Sequence, residues 1–142
     1  MNELRYQLLE HTADLRVAIY GKDLLELFRN AAFMLFDVMV DLSRVGEVLT
    51  QEVNLSSTDL EELFLDWLRE LLFFFSARGF VTGAVAIDEL DPEASHLRAK
   101  LSGDIYQAEK HGLKIEIKTP TYHQLRLEKT ATGWTAVVVF DV

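Results

Sequence analysis

Four polar positions beside apolar, strand-like sequence carry the side chains best suited to chemistry. These are His11 and Asp14 in the word His11-Thr12-Ala13-Asp14, His123 in Thr121-Tyr122-His123, and Asp141 just before Val142. Imidazole and carboxylate serve acid–base catalysis and metal ligation. Taken singly, each also has an ordinary reading: a strand-end carboxylate is solvated or caps a turn, and a strand histidine is held by structural hydrogen bonds. Asp141 says more, because with Val142 next in sequence a terminal carboxylate stands beside a carboxylate side chain and an apolar strand. Two like charges held together resist ionising unless a cation or strong donors compensate. Either this end is frayed and solvated or a cation sits there. Were strand pairing to bring Asp14 alongside, carboxylates and carbonyls would form a hard oxygen set suited to calcium or magnesium.

Lys118 closes the alternating stretch 113–117 and is either an ion-pair partner or a plain surface lysine. Phe73-Phe74-Phe75 cannot all face one core. Either two pack and a loop covers the third, or an exposed ring marks a contact surface. Other chemistries lack their parts: there is no glycine-rich loop after a strand to cradle phosphate and no GxSxG elbow to expose a serine. The absence of cysteine excludes disulfides, thiolate zinc sites and cysteine nucleophiles. His11, Asp14, His123 and Asp141 could imitate a metal-dependent phosphodiesterase site, although no paired-ligand spacing on a helix supports it.

The elements that must position these residues follow from periodicity. Stretches 4–9 and 15–20 read as strands, the second alternating Leu15, Val17 and Ile19 with Arg16, Ala18 and Tyr20. Asp23 with Glu26 caps a helix whose apolar face runs Leu24, Leu27, Phe28, Ala31, Ala32, Leu35, Met39. A third strand spans 48–55. Thr58 with Glu61 forms a capping box for a second helix with the stripe Leu60, Leu63, Phe64, Trp67, Leu68, Leu71, Leu72, Phe75, stopped at Gly79. Strands follow near 80–90, 95–103, 114–118, 121–129 and 133–141, with turns at Asp91-Pro92 and at 130–133. The last strand is apolar on both faces, which predicts a central position. The helices open with near-identical words, Asp23-Leu-Leu-Glu-Leu-Phe28 and Asp59-Leu-Glu-Glu-Leu-Phe64, either from a duplicated strand-helix unit or because acid-capped helices with an apolar stripe look alike.

Composition bounds the function classes. A chain of 142 residues, 49% hydrophobic and 26% charged, fits one globular domain, residues 1–142, with a core of its own. Acids outnumber bases 23 to 14, a net charge of −9, which argues against direct nucleic-acid binding and for docking on a basic protein surface. The opening residues 1–5 lack the apolar core of a signal peptide, and charges interrupt every apolar stretch before a membrane span, so a cytoplasmic protein without membrane association is expected.

The sequence resembles the archease family over essentially its whole length. The segments that carry the resemblance are Leu9 to Asp14, the stretch from Ala18 through Tyr20-Gly21-Lys22-Asp23-Leu24 into Leu27-Phe28 and Ala31-Ala32, Lys118 to His123, and Val139-Phe140-Asp141-Val142. The resemblance implies a single α+β domain, with a mixed or antiparallel sheet of six or seven strands packed with two main helices. It also implies no enzymatic activity of its own, but a role as cofactor protein for an RtcB-type tRNA-splicing RNA ligase. There it promotes guanylylation of the ligase and multiple turnover, and can alter nucleotide specificity. Carried over by residue, the family's divalent metal site, expected to take calcium, falls on Asp14, Asp141 and the main-chain oxygens of Val142. Its essential lysine falls on Lys118, and His11 and His123 are supporting candidates. Thr119-Pro120 depart from the small or aliphatic residues usual there. A proline lacks the backbone donor, so an edge or a bulge is expected at that point. Two other functions are kept as alternatives: a metal-dependent phosphohydrolase on the same residues, and a chaperone-like module binding through aromatics near Phe73.

Overall fold

A computed structural model describes residues 4–11 and 13–142, with backbone alone at 10 and 11. Strands β1 (Tyr6–His11) and β2 (Asp14–Gly21) form an antiparallel hairpin that leads into helix α1 (Leu24–Met39). A short 3-10 turn at Leu42–Arg44 precedes β3 (Leu49–Ser56) and helix α2 (Leu60–Arg78). Then come β4 (Phe80–Asp91), β5 (His96–Ile105), a four-residue helix α3 (Ala108–His111), β6 (Thr119–Thr130) and β7 (Gly133–Asp141).

The seven strands divide into two wholly antiparallel sheets, ordered β1-β2-β7-β6 and β3-β5-β4, rather than joining in one. Helix α1 packs on β2 and β4 and α2 on β6 and β4, so both sheets share one core with the helices. The largest fully buried side chains include Trp67, Phe28, Phe36, Phe64, Phe80 and Phe140. The β2 alternation holds: Leu15, Val17 and Ile19 are wholly buried. As its two apolar faces require, β7 lies inside its sheet.

Both helix starts rest on an aspartate. Asp23 Oδ1 accepts the Glu26 N–H at 2.8 Å, and Glu26 Oε1 accepts the Lys22 N–H at 3.0 Å. In α2 the cap is Asp59, accepting the Glu62 N–H at 2.8 Å, one residue later than the Thr58–Glu61 box expected from sequence. A carboxylate at the cap also suits the positive end of the helix dipole, which a threonine cannot match. Phe28 and Phe64, at equivalent places in the two repeated words, meet edge-to-face at 5.1 Å. Gly79 closes α2 in the left-handed region at φ 66°, its N–H donating to Phe75 O at 3.0 Å.

One expected strand does not form and one short helix was not expected. Stretch 114–118 forms no strand: the Lys114 N–H bonds Met39 O at 2.7 Å and the Lys118 N–H bonds Asp141 O at 2.9 Å. Its alternation still buries Ile117, because an extended segment turns alternate side chains inward with or without a ladder. Helix α3 is a single turn, too short to show an apolar stripe.

Candidate metal site where two strand ends meet

The register of β2 on β7 places Asp14 directly opposite Asp141, followed by Leu15 opposite Phe140 and Arg16 opposite Val139. On the other side of β7, Thr119 of β6 pairs with Asp141. Asp14, Asp141 and Thr119 therefore form one row across three adjacent strands, on one face of the sheet, since directly paired residues share a face. Lys118 immediately precedes this row, and its N–H donates to the Asp141 carbonyl at 2.9 Å. The buried pair Leu15 and Phe140 anchors the row from the core side. Asp14, Asp141 and Lys118 are exposed, and Val142 is half-buried.

The two aspartates are not desolvated, so what presses for a counter-charge is their mutual proximity rather than burial. Like charges directly opposite destabilise an antiparallel pair. The oxygen groups available at this row are the two carboxylates and the main chain of neighbouring Val142, hard ligands that would suit calcium or magnesium better than a soft metal. Among the described residues, no three Asp, Glu or His side chains cluster so as to hold an ion by side chains alone.

The histidines fall differently. His11 ends β1 opposite Leu15, which brings its backbone next to Asp14 at the hairpin, while its side chain lies outside the described residues. His123 is exposed within an irregular stretch of β6 between Thr121, paired with Val139, and Arg126, paired with Val137, and the register does not bring it into the aspartate row. Pro120 fits the expectation on both counts: β6 is an edge strand, and its ladder breaks just beyond the proline.

The sequence reading missed the group that holds this irregularity. The Tyr122 hydroxyl donates to Glu62 of α2, 2.8 Å from Oε2, and Arg69 Nη1 contacts Glu62 at 3.2 Å and Asp66 at 2.9 Å. The Arg69 guanidinium lies 5.2 Å from the centre of the Tyr122 ring, and Gln124 takes φ 57°. The spacing 62, 66, 69 on one helix face was the available signal. It says that the three groups neighbour one another, but not that a strand docks on them.

At the far end of α2 the phenylalanine run resolves. Phe74 is buried, Phe75 packs on Phe36 and Tyr106, and Phe73 stays 49% exposed with Arg78 6.0 Å from its ring centre. No described helix is long and apolar enough to cross a membrane.

An α+β domain of two antiparallel sheets enclosing two helices, with a carboxylate row at its central strand ends, defines the structural class. Residues 6–142 match the model of the archease protein family (MTH1598/TM1083). Among curated relatives, protein archease of Methanosarcina acetivorans is 44% identical over 97% of this chain and 96% of its own length. That of Thermococcus gammatolerans is 41% identical over 97% and 99%. The solution structure of Methanobacterium thermoautotrophicum protein 1598 superposes with a TM-score of 0.76 at 29% identity, covering 97% of this chain and 99% of that one. The Thermotoga maritima crystal structure, described as an archease and possible chaperone, shares the fold with a TM-score of 0.69 at 24% identity over the full length of both. The chain belongs to the archease family.

Proposed function

We propose that this protein is a non-enzymatic cofactor of an RtcB-type tRNA-splicing RNA ligase, acting in the cytoplasm to promote guanylylation of the ligase and its multiple turnover, with an influence on nucleotide specificity. The observation that supports this reading is the cross-strand row that sets Asp14 against Asp141 with Lys118 bonded to the Asp141 backbone. In the proposal, Asp14, Asp141 and the main-chain oxygens of Val142 hold a divalent cation, most naturally calcium. When bound, that ion neutralises the two carboxylates and ties the first hairpin to the end of β7. Lys118, an exposed cation beside this acidic row, reaches out to a phosphate or an acidic group on the ligase. The net charge of −9 supports docking on a basic ligase surface rather than on RNA itself.

The test is single-turnover guanylylation and multiple-turnover ligation by the ligase with wild type, Asp14→Ala, Asp141→Ala and Lys118→Ala. Loss of activation in folded variants is expected. Full activation by all three would defeat the assignment, and metal-dependent hydrolysis of phosphodiesters by the protein alone would replace it with the phosphohydrolase reading. One observation favours a chaperone-like alternative, the exposed Phe73 ring. Binding of unfolded clients lost in Phe73→Ser would speak for it.

A further inference from the structure

At the other end of β2 from Asp14, six residues or about 20 Å along the strand, the structure forms a groove of 360 Å³ between α1, the bulge of β4 and the segment leading into β1. Its charge runs against that of the molecule. In a protein of net charge −9, the groove is lined by two guanidiniums, Arg5 and Arg29, against one carboxylate, Glu26. The Glu26 Oε1 is engaged by the Lys22 N–H at 3.0 Å. Among the described residues neither arginine is paired with a carboxylate; Arg5 lies 4.2 Å over the Phe33 ring, which orients its guanidinium. A planar guanidinium held on a ring presents its remaining N–H groups as a fork suited to oxyanions.

A second and independent feature sits in the wall of the same groove. Thr82 is 3% exposed, and its hydroxyl has no hydrogen-bond partner among the described residues. It lies where β4 breaks register on β5, between Thr82 and Ala84, leaving Gly83 as the bulged residue. A buried hydroxyl without a partner is costly, and natural folds retain one mainly where something completes it. Leu42 adds apolar surface beside these polar groups. The volume falls in the range of small-molecule sites, which are apolar clefts with a few convergent polar groups.

We propose that this groove is a binding site for a small organic oxyanion, a phosphate or carboxylate on a compact apolar body. Arg5 and Arg29 take the anionic group, the Thr82 hydroxyl, enclosed in the wall as it stands, turns into the groove to donate to one of its oxygens, and the apolar body lies on Leu42. The site is separate from the aspartate row and independent of any role that row has.

The experiment is a nuclear magnetic resonance titration of the full protein with phenyl phosphate, benzoate and inorganic phosphate. Saturable shifts confined to Arg29, Phe33 and 82–85 are expected for phenyl phosphate, weaker ones for inorganic phosphate, and the benzoate arm decides whether a carboxylate suffices. A charge-assisted hydrogen bond lost from the site costs roughly tenfold in affinity. Arg29→Gln and Arg5→Gln should each show that loss, and Thr82→Val a smaller one. Asp14→Asn should bind like wild type, which keeps this site's test apart from that of the metal site. The arginine variants are surface changes, and a melting curve for each confirms its fold. No saturation by any of the three probes up to ~10 mM, a bound weaker than about 3 kcal/mol, would overturn the proposal, as would undiminished binding by the Arg5→Gln, Arg29→Gln double variant.

Discussion

Removing one carboxylate from the strand-end row should stabilise the metal-free protein and abolish its response to calcium. Asp14 and Asp141 are direct cross-strand partners, and both are exposed. Such partners hold their Cβ atoms ~5 Å apart, so two ionised carboxylates repel by about 0.8 kcal/mol in a dielectric near that of water. Asp14→Asn or Asp141→Asn removes this repulsion, and the double variant gains no more than either single one. For a chain of this size, the melting temperature should rise by roughly 2–3 °C in EDTA. If the proposed site holds calcium, the ion should invert the order. An ion that binds only the folded state adds about 1.4 kcal/mol at ten times its dissociation constant, and this gain belongs to wild type alone. The assay is calorimetric melting of wild type, both singles and the double, each in EDTA and in about 10 mM calcium, a level chosen to exceed a millimolar dissociation constant. The reasoning fails if wild type melts at the same temperature in both buffers while each single variant is less stable than wild type in EDTA.

Further outcomes follow from the packing. Gly79→Ala should cost about 1 kcal/mol in urea unfolding, because φ is 66° there while nothing lies within 4 Å of an added Cβ, so the backbone conformation alone bears the penalty. Trp67→Phe should cost roughly 2–3 kcal/mol, since the indole is wholly buried and its N–H donates to Phe28 O at 2.8 Å. Thr82→Val should raise stability by about 1 kcal/mol by removing the unpartnered hydroxyl, even as it weakens phenyl phosphate binding. The Asp104 carboxyl is held below the usual carboxylate range, first by the Lys110 ammonium at 2.8 Å and then by the Ile105 N–H. A depressed carboxylate contributes stability above its unfolded pKa, and that contribution is lost as pH falls through the lower folded value. Asp104→Asn should therefore melt below wild type at neutral pH and converge with it in strong acid, as thermal melts across pH would record.

What the sequence determined by itself was local. The alternation of Leu15, Val17 and Ile19, the aspartates that open both helices and the glycine that closes the second each act within a few residues, so residue type and spacing suffice to read them. The proline at 120 likewise announced an edge or a bulge, because a missing backbone donor can be tolerated in few places. The carboxylates of the candidate site were legible as types, and the resemblance to the archease family singled out Asp14, Asp141 and Lys118.

Only the tertiary structure decided which strands are partners. The sequence marked the seven strands that form, along with an eighth stretch at 114–118 that does not, but not their division into two sheets, since every strand offers the same backbone donors and acceptors. It could not show that 114–118 spends its N–H groups on the end of α1 and on β7, nor that Tyr122 docks on Arg69 and on Glu62, 60 residues away. The meeting of Asp14 with Asp141 is of the same kind. It is a register between strands more than a hundred residues apart, fixed by the burial of Leu15 against Phe140, because a slip of one residue would turn every core side chain of β2 out into solvent.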